Sequence, residues 1–98
     1  MATLIVSYAV TEGAKFDREY YLTSHAPLVQ SAWGDFGLQS AEVLFPVSDA
    51  QPFVCVSILR FGDQGGISLA LSSENTADVI EDVKKFTNIK PAIFCAND

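Results

Sequence analysis

Positive charge is scarce in this chain. Six Lys and Arg stand against twelve Asp and Glu in 98 residues, giving a net charge of −6 and a pI near 4.5. That balance repels phosphate backbones, and no basic stripe is interleaved with aromatics, so nucleic acid is excluded as a partner. Metal-binding side chains are equally few. One His and two distant Cys fall short of the roughly four N/S ligands of a structural zinc site, and no structural metal is expected. The N-terminus carries a short apolar run without a basic n-region or an A-x-A-like cleavage site. No window approaches the ~18 apolar residues of a membrane span. A soluble, cytoplasmic protein with no membrane partner is the expectation. Cys55 and Cys95 each lie inside an apolar run, where Cys behaves as a small hydrophobe; buried free thiols are expected rather than a disulfide.

Apolar material is plentiful. Hydrophobic residues make up 49% of the chain, with seven Phe, three Tyr and one Trp, which excludes disorder. The length suits a single domain, residues 1–98, able to bury roughly two-thirds of its unfolded surface. No repeat, linker or low-complexity segment divides it.

The apolar periodicity predicts β-α-β-β-α-β. Residues 3–10, "TLIVSYAV", are short, apolar and β-branched, as a strand should be. A helical region follows over 17–33, with Asp17 as N-cap, Glu19 favourably placed in the first turn, and Phe16 and Tyr21 at the spacing of a hydrophobic staple. Pro27 predicts a break near His25 to Ala26, with a second helical piece beginning at or near the proline. Gly34 and Gly37 supply the stop. Strands are predicted at 38–47 and 53–61, with Pro46 ending or edging the first of them. Asp63 caps a short helix weakened by Gly65 and Gly66. Residues 75–86 form a clearer helix with Val79, Ile80, Val83 and Phe86 on one face, and a last strand covers 90–96.

Right-handed crossovers arrange these elements as an α+β, ferredoxin-like fold: one antiparallel sheet, strand order 4-1-3-2, both helical regions on the same side. Residues 53–61, "FVCVSILRF", are apolar on both faces, yet the helices cover only one. A second copy offering its own sheet would supply the other cover, so a homodimer is expected.

The candidate chemistry centres on the single histidine. Asp17, Tyr21 and His25 are four residues apart and so form one line on a helix. His25, with an ordinary pKa of ~6.5, is the natural general acid or base. Two readings fit this line. In one, Asp17 is only a cap, Tyr21 only a staple, and His25 bonds a carbonyl freed by Pro27. In the other, the line faces a pocket and moves a proton. Trp33 and Phe36, aromatics at helical spacing, read as core, Glu42 as an outward-facing edge residue, and Ser24 as a helix-end hydroxyl.

"FDREYYLTSHAPLV" followed by "WGDFGL" resembles the signature of the EthD-like family, named for ethyl tert-butyl ether degradation. Phe16, Asp17, Tyr20, Tyr21, His25, Pro27, Leu28, Gly37 and Leu38 carry the resemblance. It is concentrated in residues 16–38, with a weak echo near "LRFGD", and Gly65-Gly66 departs from it where helix formers would stand. The resemblance implies a dimeric α/β barrel with a cleft between each sheet and its own helices. It also implies a cofactor-independent enzyme, of oxygenase or isomerase type, acting on an apolar or aromatic small molecule. His25 and Tyr21 are then the catalytic candidates, and Tyr20, Asp17, Trp33 and Phe36 the substrate-binding ones. A non-catalytic binding or accessory protein, or a haem-binding barrel with His25 as axial ligand, is the alternative on the same scaffold.

Overall fold

A computed structural model describes residues 2–97 of the chain. β1 (Ala2–Ala9), β2 (Leu38–Leu44), β3 (Phe53–Phe61) and β4 (Ala92–Asn97) form one sheet of order β2-β3-β1-β4. All three pairings are antiparallel. Between β1 and β2 run α1 (Arg18–Tyr20), a π-helical turn (Tyr21–His25), α2 (Ala26–Trp33) and a short 3-10 turn (Gly34–Phe36). Between β3 and β4 run α3 (Gln64–Ser72) and α4 (Asn75–Val83). Element order and strand order are the ferredoxin-like ones predicted from the periodicity. No helix among the described residues is long and apolar enough to cross a membrane.

The caps form where the sequence places them. The Asp17 carboxylate accepts the Tyr20 N–H at 3.0 Å, and the Asp63 carboxylate accepts the Gly66 N–H at 2.8 Å. Phe16 and Tyr21 pack across the helix start with tilted rings whose centroids are 5.5 Å apart. Gly37 closes the helical segment in the left-handed region, φ +92°, where a Cβ would be strained. Gly66 has a different reason to be glycine: a Cβ there would collide with the Phe36 carbonyl oxygen. Helix propensity is given up so that α3 can lie close against the 3-10 turn.

The predicted break at His25 does not occur. Pro27 cannot donate an N–H, and its ring crowds the carbonyl four residues back. The helix absorbs this by widening rather than stopping: Ala26 N–H bonds the Tyr21 carbonyl, five residues back. A π-turn of this kind inserts a local irregularity without ending the axis. It carries Tyr21 and His25 at its two ends, both buried.

Opposite residues in adjacent strands share a face. Leu4, Leu59 and Cys95 face the helices, while Ile5, Ile58 and Phe94 face away. The inner face builds two clusters. One joins Leu4, Leu59, Phe61 and Trp33 with Ile67 and Val79. The other is aromatic, with Phe86 surrounded by Tyr8, Phe16, Tyr20, Tyr21 and His25 at centroid distances of 4.5–6.3 Å. The cysteines are both free, but only Cys55 is buried. Cys95 is exposed because β4 is an edge strand that the helices leave largely uncovered.

Candidate functional site

The face of α4 that meets the sheet carries a charge. Val79 and Asp82 are buried, and Ile80, predicted for this face, is 62% exposed. Asp82 is 7% exposed and fully engaged. One of its carboxylate oxygens accepts the Tyr20 hydroxyl at 2.7 Å; the other lies 2.9 Å from His25 Nδ1. Since an ionised carboxylate only accepts, Nδ1 carries the proton and Nε2 is the lone-pair nitrogen of the neutral ring. The His25 ring lines a cavity of about 340 Å³ between sheet and helices. With Nδ1 committed to Asp82, Nε2 is the ring nitrogen left for whatever occupies that cavity.

The cavity is largely apolar. Val6 and Leu59 form its floor on the sheet, Val29 and Val79 its roof on the helices, and Trp33 one wall. No Lys, Arg, Asp or Glu lines it. Its polar groups are few: His25, the hydroxyls of Tyr8, Tyr21, Ser57 and Thr76, and the Trp33 indole. Trp33 Nε1–H is already donated to Thr76 Oγ1 at 2.9 Å, and Thr76 in turn donates to the Ala70 carbonyl. Tyr21 and Ser57 are bonded to each other by a short hydroxyl–hydroxyl contact. Ser57 is a buried polar residue (2% exposed) in the middle of a central strand, placed there opposite Val6 and Val43. The Tyr21 and His25 rings are 5.3 Å apart, so a base and a hydroxyl pair converge on one end of the cavity.

Electrostatics follow from this burial. Desolvation lowers the His25 pKa below its ordinary value, against the opposing pull of the Asp82 hydrogen bond and charge. For Asp82, burial alone would raise the pKa, but the hydrogen bonds from His25 and Tyr20, and Lys85 nearby, together lower it. Burial pushes the Tyr21 phenol up to about 12, with the Ser57 bond working the other way. The Tyr8 phenol is likewise raised by burial, and Tyr20 by its bond to Asp82. At neutral pH the site holds a neutral imidazole, an ionised carboxylate behind it, and protonated phenols.

Stability inherits the sign of the His25 shift. Its folded pKa lies below the unfolded value of ~6.5, so the unfolded chain binds the proton more readily. The stabilisation is complete above the unfolded pKa and declines as pH falls below it. The slope reaches at most ~1.4 kcal/mol per pH unit for one group. Urea unfolding between pH 7.5 and 5 is expected to show this decline in the wild type and a flatter dependence in His25→Gln; equal slopes would contradict the assignment.

The six sequence candidates part company in space. His25, Tyr21 and Trp33 line the cavity. Tyr20 does not, but holds Asp82 from behind. Asp17 is exposed at the helix start and acts as a cap, away from His25. Phe36 packs at the edge of the first core cluster. The line Asp17–Tyr21–His25 is thus not a contiguous relay, and the carboxylate beside His25 comes from α4. Asp82 and Ser57 were missed by sequence reasoning. Both had a signal: each is polar at a position whose periodicity is apolar.

No family model matches the chain, and no curated protein matches it. Solved structures do. The chain is similar to an EthD-like protein from Ralstonia eutropha JMP134, at 25% identity and TM-score 0.82 over 98% of this chain and 89% of that one. An ethyl tert-butyl ether D (EthD) family protein from Bacillus halodurans C-125 matches at 21% identity and TM-score 0.76, over 100% and 98% of the two chains. SnoaB, a cofactor-independent oxygenase from Streptomyces nogalater, matches at 11% identity and TM-score 0.67, over 99% and 93%. Over its whole length the chain is thus similar in fold to these two EthD-like structures.

Proposed function

We propose that the protein is a cofactor-independent enzyme that removes a proton from a small molecule with an apolar or aromatic body, with His25 as general base. The observation that carries this reading is the His25–Asp82 pair, which turns a neutral ring with a free Nε2 towards an apolar cavity. A ligand O–H or activated C–H breaks, an Nε2–H bond forms, and the electron pair stays on the ligand. The Tyr21–Ser57 hydroxyl pair stands beside His25 to donate a hydrogen bond to the oxygen on which that charge collects. Return of the proton to another carbon completes an isomerisation; reaction of the deprotonated ligand with O2 completes an oxygenation. The likeness to SnoaB supports the second outcome at the level of fold alone.

The test begins with a thermal-shift screen of hydroxynaphthalenes and enolisable ketones. Exchange of the ligand's acidic C–H for deuterium from solvent is then followed by NMR, in the wild type and in His25→Gln. Protein-dependent exchange that falls ~100-fold or more in the variant is expected of a general base. Binding without exchange in the wild type would leave a binding protein and defeat the catalytic reading.

The same proposal includes a homodimer. The face of the sheet turned from the helices carries Ile5, Val56, Ile58, Leu44 and Phe94, of which Leu44 and Phe94 are 50% and 61% exposed. Nothing in the described chain covers it. A second sheet laid on this face would bury more than ~1,200 Å² in total, enough for a specific interface. Sedimentation at micromolar concentration is expected to give a dimer, and Phe94→Asp to give monomers. A wild-type monomer would refute this part of the proposal.

A further inference from the structure

The cavity is not closed. Three of its lining residues reach solvent: Leu71, Ile80 and Ile93, exposed by 37%, 62% and 56%. Its mouth therefore lies between α3, α4 and the edge strand β4. From that mouth a shallow groove of about 270 Å³ continues over Ile80 and Pro91, which line both spaces. Val83 and Ile89 line it as apolar residues, and Lys84 and Lys90 line it as cations.

This changes the character of the surface within one helical turn. The cavity holds no ionised lining residue. The groove that leads out of it has two ammonium groups, in a chain with only six basic residues and a net charge of −6. Lys84 caps the C-terminus of α4 four residues after Ile80 and keeps helical backbone angles, which places the two Cβ atoms ~6 Å apart on one face. A chain of three or four bonds leaving the mouth over Ile80 comes within reach of the Lys84 ammonium. Among the described residues Lys84 has one partner, Glu81 at 3.5 Å, and both side chains are over 70% exposed, so that pair is weak and open to competition. Lys90 is exposed and has no ion pair among the described residues.

We propose that the ligand has two parts: a neutral aromatic or enolisable body in the cavity, and a short arm ending in an anionic group, such as a carboxylate, that lies in the groove against Lys84 and Lys90. The inference rests on the cavity reading above and adds the arm, its direction and its charge. The apolar lining residues suit the methylene stem, and the lysines suit only the terminal group. An arm pointing inward would bring an anion against an apolar wall with no cation to receive it, at a high desolvation cost. The arm thereby also fixes which end of the body reaches His25.

A matched pair of probes tests it: a naphthol with a butyl arm and the same naphthol with a carboxyethyl arm, titrated by calorimetry into the full chain. The acid is expected to bind about fivefold more tightly than the neutral probe at low salt, and that advantage to shrink at ~0.5 M salt. In the double variant Lys84→Gln, Lys90→Gln the two probes should bind equally, with the affinity of the butyl probe unchanged. Equal binding of both probes to the wild type, or an acid preference that survives the double variant, would overturn the arm while leaving the cavity reading intact. Failure of both probes to bind would overturn the cavity reading and the arm with it.

Discussion

Asp82→Asn is expected to reduce proton transfer from a cavity ligand by ~10²–10⁴-fold while leaving the fold in place. The replacement is nearly isosteric, and the amide oxygen can still accept the Tyr20 hydroxyl. The amide nitrogen, however, donates. Facing His25 Nδ1, it requires a lone pair there, which moves the ring proton to Nε2. The nitrogen that faces the cavity then carries a proton it cannot use as a base. Loss of the carboxylate also removes the charge that steadies the imidazolium formed during transfer. This distinguishes positioning from mere packing. A packing residue would lower the melting temperature and leave the pH–rate profile alone, whereas Asp82→Asn should displace the acidic limb of that profile, where His25 loses its proton, with little thermal change. Tyr20→Phe, which removes one hydrogen bond to Asp82 and spares the Nδ1 bond, should cost far less. An Asp82→Asn rate within about threefold of wild type would show that the tautomer is not set this way.

Phe86→Ala should be among the most destabilising single substitutions in the chain. Phe86 is 3% exposed and is the ring on which Tyr8, Phe16, Tyr21 and His25 all converge, with centroid distances between 4.5 and 5.8 Å. Its removal leaves a cavity that none of these rings can fill without leaving its partner: Tyr21 is bonded to Ser57 and His25 to Asp82. Large-to-small changes at such sites cost ~3–5 kcal/mol. For a domain of this size that corresponds to a fall in melting temperature of roughly 15–25 °C. Phe86→Leu, which keeps most of the volume, should cost less than half as much. The backbone is also tied here, because the Asp17 N–H donates to the Phe86 carbonyl at 2.8 Å. A loss below about 1 kcal/mol for the alanine variant would mean the aromatic cluster relaxes far more freely than its bonded members suggest.

The parts of this protein that could be read from the chain are those set by neighbours in sequence. Asp17 caps its helix because the acceptor and the free N–H groups lie within three residues. Phe16 meets Tyr21 because the helix start fixes their spacing. β3 is apolar on both sides, and with both helical regions placed on one side of the sheet this left one apolar face without a cover from the chain itself. Where local rules competed, reading them singly misled. The rule that proline ends a helix lost to the five-residue hydrogen bond that let the helix continue, since burying Tyr21, His25 and Val29 on one stripe is worth more than the distortion. On α4, counting only apolar residues placed Ile80 inward and passed over Asp82. Yet Asp82 sits at helical spacing between Val79 and Phe86, nearer the centre of that face than Ile80.

The sequence by itself determined the element order, the ferredoxin-like topology, the helix caps and the presence of one titratable base on a buried stripe. These follow from periodicity and from side chains acting on backbone a few residues away. Only the tertiary structure decided what that ring meets. Its carboxylate partner lies 57 residues further on, and the hydroxyl pair joins residues 36 apart. Such contacts depend on how two helices rotate about their axes when packed on a common sheet, and a rotation of a fraction of a turn separates a buried aspartate from a solvated one. Local pattern does not specify that angle; the fit of Phe86 among the aromatic rings, with Tyr20 and His25 both reaching Asp82, does.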